Sequence, residues 1–251
     1  MMIKKDVFYT DDNDARRTLD IYLPSGKDFP VFVYFHGGGL VGGNKGGVEK
    51  IAQALTDSGI AMVSAEYRMM PDAQYPDFLC DAAAAVRWVK DNLPSMGGGD
   101  KIFVGGSSAG GYISQMLCFD PTWLSAQGID CTEISGYIHD AGQPTAHFNV
   151  LKYRGIDSRR IIVDQTAPLY HVGILPRLSP MLIIWSDNDM ENRPEQSSLL
   201  VSTLKHFRYP MENVHTLIMS GTHCKYVYAL DEAGHSVFAN MILPFIKQYS
   251  S

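Results

Sequence analysis

Five short, mostly apolar runs recur along the chain: VFVYF (31–35), IAMVSAEY (60–67), KIFVGG (101–106), MLIIWS (181–186) and VHTLIM (214–219). Runs this continuous belong to strands covered on both faces, as in a parallel sheet flanked by helices. The stretches between them supply the helices. FLCDAAAAVRWVKDNL (78–93) is alanine-rich with apolar residues at helical spacing, and RPEQSSLLVSTLKHF (193–207) and SVFANMILPFIKQY (236–249) follow it. Pro244 in the last of these predicts a kink or a helix that starts again. KDVFYT and RTLDIYLP, parted by the polar spacer DDNDA, read as an antiparallel hairpin. Alternating β and α units predict an α/β fold with a mostly parallel sheet and helices on both faces, expected as one domain over 1–251. From 131 to 180 the pattern loosens to one strand, ISGYIHD (134–140), then an excursion at about 140–180 suited to a lid or pocket wall.

Charge and cysteine content narrow the class. Net charge is −6 without a basic run, so a nucleic-acid partner has no electrostatic footprint. No apolar segment reaches the roughly 18 residues that cross a bilayer. MMIKKDVFYT lacks the apolar core and small-residue cleavage site of a signal peptide. Cys80, Cys118, Cys131 and Cys224 lie far apart without zinc-type spacing, so reduced thiols and a cytoplasmic location are expected.

The chemistry concentrates where the third of the five runs ends. Gly106-Ser107-Ser108-Ala109-Gly110 fits G-x-S-x-G with Ser108 at its centre, after a strand and before a helix. A tight strand-to-helix turn pushes one hydroxyl into the open, and small flanking residues keep neighbours from colliding with it. Ser108 is the candidate nucleophile and Ser107 a small filler. The alternative of a phosphate-binding loop lacks the Lys-Ser/Thr ending of a P-loop. VFVYF runs directly into His36-Gly37-Gly38-Gly39, a glycine run able to face its amides into a cleft. Together with the amide of Ala109 at the helix start, these would hold a developing oxyanion. His36 reads as an ordering residue of that loop.

A serine nucleophile needs a histidine base and a carboxylate to orient it, in the chain order Ser, acid, His. MLIIWS ends in Asp187-Asn188-Asp189. Asp189 is preferred as the acid, because Asp187 at the strand end suits a turn; Asp187 stays the alternative. Of eight histidines, His139, His147 and His171 precede the acid, His206 lies in a predicted helix, and His215 begins a strand. His223, on the loop leaving the last strand, is the preferred base, with His235 as fallback. Cys224 beside it reads as a small buried neighbour.

HGGG (36–39), YRMMPDAQYP (67–76), Asp81 with AVRWV, and GGDKIFVGGSSAGG (98–111) resemble, in order and spacing, hormone-sensitive-lipase-like esterases of the α/β-hydrolase fold. TAPLYHV (166–172), SDNDM (186–190) and GTHCKY (221–226) are similar to bacterial members related to feruloyl and acetyl-xylan esterases. The resemblance implies an eight-stranded, mostly parallel sheet, the triad Ser108, Asp189 and His223, and oxyanion amides from Gly38, Gly39 and Ala109. It implies a serine carboxylesterase for short-chain acyl esters, acetylated sugars or feruloyl-type esters among them, with no metal or organic cofactor. HGGG begins at residue 36, so the long N-terminal cap of many relatives is expected to be absent. The 140–180 excursion would then be the main pocket wall, with His139, Gln143, His147, Tyr153 and Tyr170 as its polar and aromatic lining. A formamidase or other amidase of the same fold and a catalytically silent ligand-binding relative are the alternatives, although Gly39-Leu40 replaces the aromatic residue of many amidases. The expected partner is a small ester, and edge strands and the final helix offer surfaces on which a second subunit could pair.

Overall fold

Alternate side chains of β3 (Phe29–Phe35) point to opposite faces of a sheet, and each face meets its own helices. Val31, Val33 and Phe35 enter one core layer, closed by α2 (Asp77–Asn92), α3 (Ala109–Phe119) and α7 (Arg193–His206). Phe32 and Tyr34 enter the other, closed by α1 (Glu49–Asp57) and α8 (Val237–Tyr249). This two-sided burial explains the absence of polar alternation in the central runs. The computed structural model describes residues 1–250.

The other strands are β1 (Met2–Phe8), β2 (Thr18–Leu23), β4 (Ala61–Ala65), β5 (Gly98–Ser107), β6 (Gly136–Asp140), β7 (Met181–Asn188) and β8 (Val214–Thr222). The eight lie in the order β1-β2-β4-β3-β5-β6-β7-β8. The pairings β1–β2 and β2–β4 are antiparallel and the remaining five parallel. The expected α/β architecture, eight-stranded and mostly parallel, is therefore present. The short helices α4 (Pro121–Ser125), α5 (Phe148–Tyr153) and α6 (Pro168–His171) complete the set, the last two inside the excursion between β6 and β7. All eleven residues of α3 are buried, because α2 and the short helices cover the side that the sheet does not. The last helix does not start again at Pro244. α8 runs unbroken through Pro244, which leaves the Asn240 carbonyl without its helical donor. Both residues are exposed, so water can satisfy that carbonyl and the helix need not stop.

A buried carboxylate locks the first strands to the helical layer. Asp81 of α2 is fully buried; its Oδ1 accepts from Nε and Nη2 of Arg17, and its two oxygens take a bidentate pair from Arg68. The Arg68 amide adds a bond to Oδ2 at 3.0 Å. Removing one partner of such a set strands the others' charge. Asp81→Ala is expected to lower unfolding free energy by about 3–5 kcal/mol, measured by urea titration at neutral pH. A loss near the ~0–1 kcal/mol of a surface pair would contradict this account.

Candidate active site

The parallel strands deliver their C-terminal ends to one edge of the sheet, the usual place for a crevice in an open α/β sheet. Ser108 sits between β5 and α3 with φ +56° and ψ −111°, a backbone conformation that L-residues rarely adopt. Close packing enforces it. A Cβ on Gly110 would lie 1.9 Å from the Phe35 carbonyl oxygen, so only glycine lets α3 press this tightly on β3. The Ser108 amide donates to the Asp140 carbonyl at the end of β6, at 2.8 Å, which fixes the turn from the other side. Ser107, buried beside it, accepts a hydrogen bond from the Tyr34 hydroxyl at 3.1 Å.

Ser108 Oγ lies 2.8 Å from His223 Nε2, and His223 Nδ1 lies 2.5 Å from Asp189 Oδ1. Asp189 also accepts from the amides of Met190 at 2.7 Å and Ser186 at 3.3 Å. Burial raises its pKa, but the His223 contact and the two amides outweigh burial and hold it below the usual carboxylate value. Asp187 points elsewhere, accepting the Gly221 amide at 2.9 Å and so tying the end of β7 to that of β8. His235 is exposed and pairs with Asp231 at 3.5 Å. Burial pushes both His139 and His147 down to about 3, which keeps them neutral.

The glycine loop is built as a turn. Gly38 has φ +124°, a Cβ there would meet the Gly42 carbonyl oxygen at 1.9 Å, and its own carbonyl accepts from the amides of Val41 and Gly42. Among the described residues, the amides of Gly38, Gly39 and Ala109 donate no hydrogen bond within the chain. His36 anchors the loop from beneath: it is buried, stacks on the Tyr67 ring at 4.4 Å, and approaches Glu66 at 3.3 Å. Asn149 Nδ2 donates to the Gly39 carbonyl at 2.6 Å, bracing the loop with α5.

These groups open on a cleft of about 380 Å³ whose far wall is Phe148, Met190, Val227 and Tyr228. The lining expected from the excursion needs correcting. Only Phe148 of that segment reaches the cleft. His139 belongs to β6 and is buried against Ser114 of α3, His147 caps α5, and Tyr153 and Tyr170 face solvent. Gln143 lines a neighbouring polar pocket of about 360 Å³, reached past Phe148 and Met190. Met190 and Tyr228 are absent from the expected lining although they follow Asp189 and His223 by one and five residues. Their adjacency was the available signal.

The BD-FAE family model matches residues 19–123, a span that holds the glycine loop and the Ser108 turn. A truncated carbohydrate esterase from gut microbiota superposes on the whole chain with a TM-score of 0.79, covering 96% of that chain at 19% identity. Esterase B from Lactobacillus rhamnosis superposes on 99% of this chain and 86% of its own at 0.78 and 20% identity. The chain has the α/β-hydrolase fold. Among sequence relatives, carboxylesterase NlhH from Mycobacterium tuberculosis is 40% identical over 92 residues, 36% of this chain and 29% of NlhH. The isoprenylcysteine alpha-carbonyl methylesterase ICME of Arabidopsis thaliana is 30% identical over 129 residues, 50% of this chain and 30% of its own. The matched part of this chain thus spans under a third of the length of either curated relative. Its resemblance to hormone-sensitive-lipase-like esterases holds in both the family match and these relatives. No helix of the chain, among the described residues, is long and apolar enough to cross a membrane.

Proposed function

We propose that this α/β-hydrolase is a serine carboxylesterase acting on short-chain acyl esters through an acyl-enzyme. The observation that carries the reading is the unbroken contact from Asp189 through His223 to Ser108 Oγ, opening on a cleft. His223 Nε2 takes the Ser108 proton as Oγ attacks the ester carbonyl, and Asp189 holds the ring and offsets its charge. The amides of Gly38, Gly39 and Ala109 receive the oxyanion. His223 then gives the proton to the departing alcohol, and water, activated the same way, releases the acid and restores Ser108. Each step balances with groups of the chain and water alone.

The cleft supports the substrate class. Its volume falls at the small end of the ~300–1,000 Å³ of ligand sites, and Phe148, Met190 and Val227 suit a short acyl chain. The adjoining pocket, with Asn192, Arg193 and Gln196 in its wall, offers hydrogen bonds to a polar alcohol such as a sugar. All four cysteines are free, which supports a reducing, cytoplasmic setting. The test is a panel of acetyl, butyryl, octanoyl and feruloyl esters run beside labelling by a fluorophosphonate probe. Acetyl and butyryl esters should be cleaved fastest, with the label on Ser108. Absent labelling in folded protein would favour a silent, ligand-binding relative, and faster octanoyl turnover would contradict the size argument.

A further inference from the structure

A second carboxylate is buried under the same turn. Asp140 ends β6, paired with Ser107 of β5, and is wholly buried. Its carbonyl holds the Ser108 amide, while its Oδ1 accepts the hydroxyl of Tyr226, three residues beyond His223. Its Oδ2 has no hydrogen-bond partner among the described residues. One residue therefore grips the nucleophile's turn by its backbone and the base's loop by its side chain. We infer that Asp140 is a positioning residue that holds the Ser108 turn and the His223 loop in register and, through its charge, sets the acid limb of activity. This rests on the serine-esterase reading above.

The surroundings make that charge consequential. Burial pushes the Asp140 carboxyl up to about 6, while the hydroxyls of Ser107 and Tyr226 and the charge of His223 favour its ionised form and Asp189 opposes it. Tyr34 from β3 and Cys224 and Tyr228 from the base loop face it as well, all three neutral acids, with burial the leading cause of each raised value. Arg193 of α7 reaches the neighbouring Ala141 carbonyl. The sign follows. Above pH about 6 Asp140 is ionised; below it the carboxyl takes up a proton and its charge-assisted hold on the Tyr226 hydroxyl weakens. Replacing Asp140 by a side chain that does not titrate must move the acid limb to lower pH.

Asp140→Asn keeps an oxygen that can accept from Tyr226 and removes the charge. Its kcat/KM profile should have an acid limb lower by roughly half a pH unit or more, whatever the height of its plateau. Tyr226→Phe keeps the ring and the charge and breaks the grip; its kcat should fall about tenfold with KM changed less than kcat. A purely structural role would lower the melting temperature but leave the Asp140→Asn limb on that of the unmodified protein. Such superposition overturns the inference, as does an unchanged kcat in Tyr226→Phe, which decides the matter if Asp140→Asn fails to fold. Ser108→Ala run alongside separates the two readings. Activity surviving in it sinks the esterase site itself, whereas loss there with both other variants unaffected sinks only the role of Asp140.

Discussion

Ser108→Ala should lose ester hydrolysis by about 10⁴- to 10⁶-fold in kcat, the range for removing a nucleophile that works as one unit with its base. That corresponds to roughly 5–8 kcal/mol of barrier. The loss is confined to chemistry because the substitution deletes one oxygen and nothing that the fold needs. The Ser108 amide keeps its bond to Asp140, the Tyr112 amide keeps the Ser108 carbonyl, and Gly110 still admits α3 against β3. Folding should survive the change, so melting curves of the two proteins should nearly coincide. A residual rate above water is expected, since the amides of Gly38, Gly39 and Ala109 remain to stabilise an oxyanion. Initial rates on p-nitrophenyl acetate, with a melt in parallel, make the comparison. Retention of more than a few per cent of the rate in folded protein would mean that another group attacks.

The contrast between Ser107 and Ser108 shows how much of this molecule can be read from the chain. Spacing to Gly106 and Gly110 singles out Ser108, because the constraint is local: a backbone turn with no room for Cβ atoms. The sheet is legible for a related reason. Strands buried on both faces must be mostly apolar, as FPVFVYF of β3 and AMVSA of β4 are. What lines the cleft is not local. Phe148 arrives from the excursion and Met190 and Tyr228 from loops on either side, and no periodicity marks a residue whose neighbours are distant in sequence. The excursion misled for the same reason. Its polar residues suggest a pocket lining, yet His139 lies in β6 under Ser114 and Phe119 of α3, and His147 serves a helix start. Asp140 escaped notice because its importance comes from packing beside Tyr226, 86 residues away in the chain.

The two aspartates that end β7 give the second large effect, since the same substitution at each should have opposite consequences. Asp189→Asn should lower kcat by about 10⁴-fold. An asparagine can offer its amide nitrogen to His223 Nδ1, which stabilises the tautomer with the proton on Nε2, where it cannot receive one from Ser108. It also removes the negative charge that offsets the imidazolium formed in the reaction. Asp187→Asn keeps an oxygen for the Gly221 amide and touches neither His223 nor Ser108, so its kcat should stay within about threefold. The structural basis is their depth. Asp187 is exposed at the strand end, whereas the Asp189 side chain is fully buried and takes two amide donors besides the imidazole. Measured at one pH well above the acid limb, the pair compares two carboxylates two residues apart. If Asp187→Asn suffers the larger loss, the base takes its orientation from the strand end instead, and the His223 loop must sit differently during turnover.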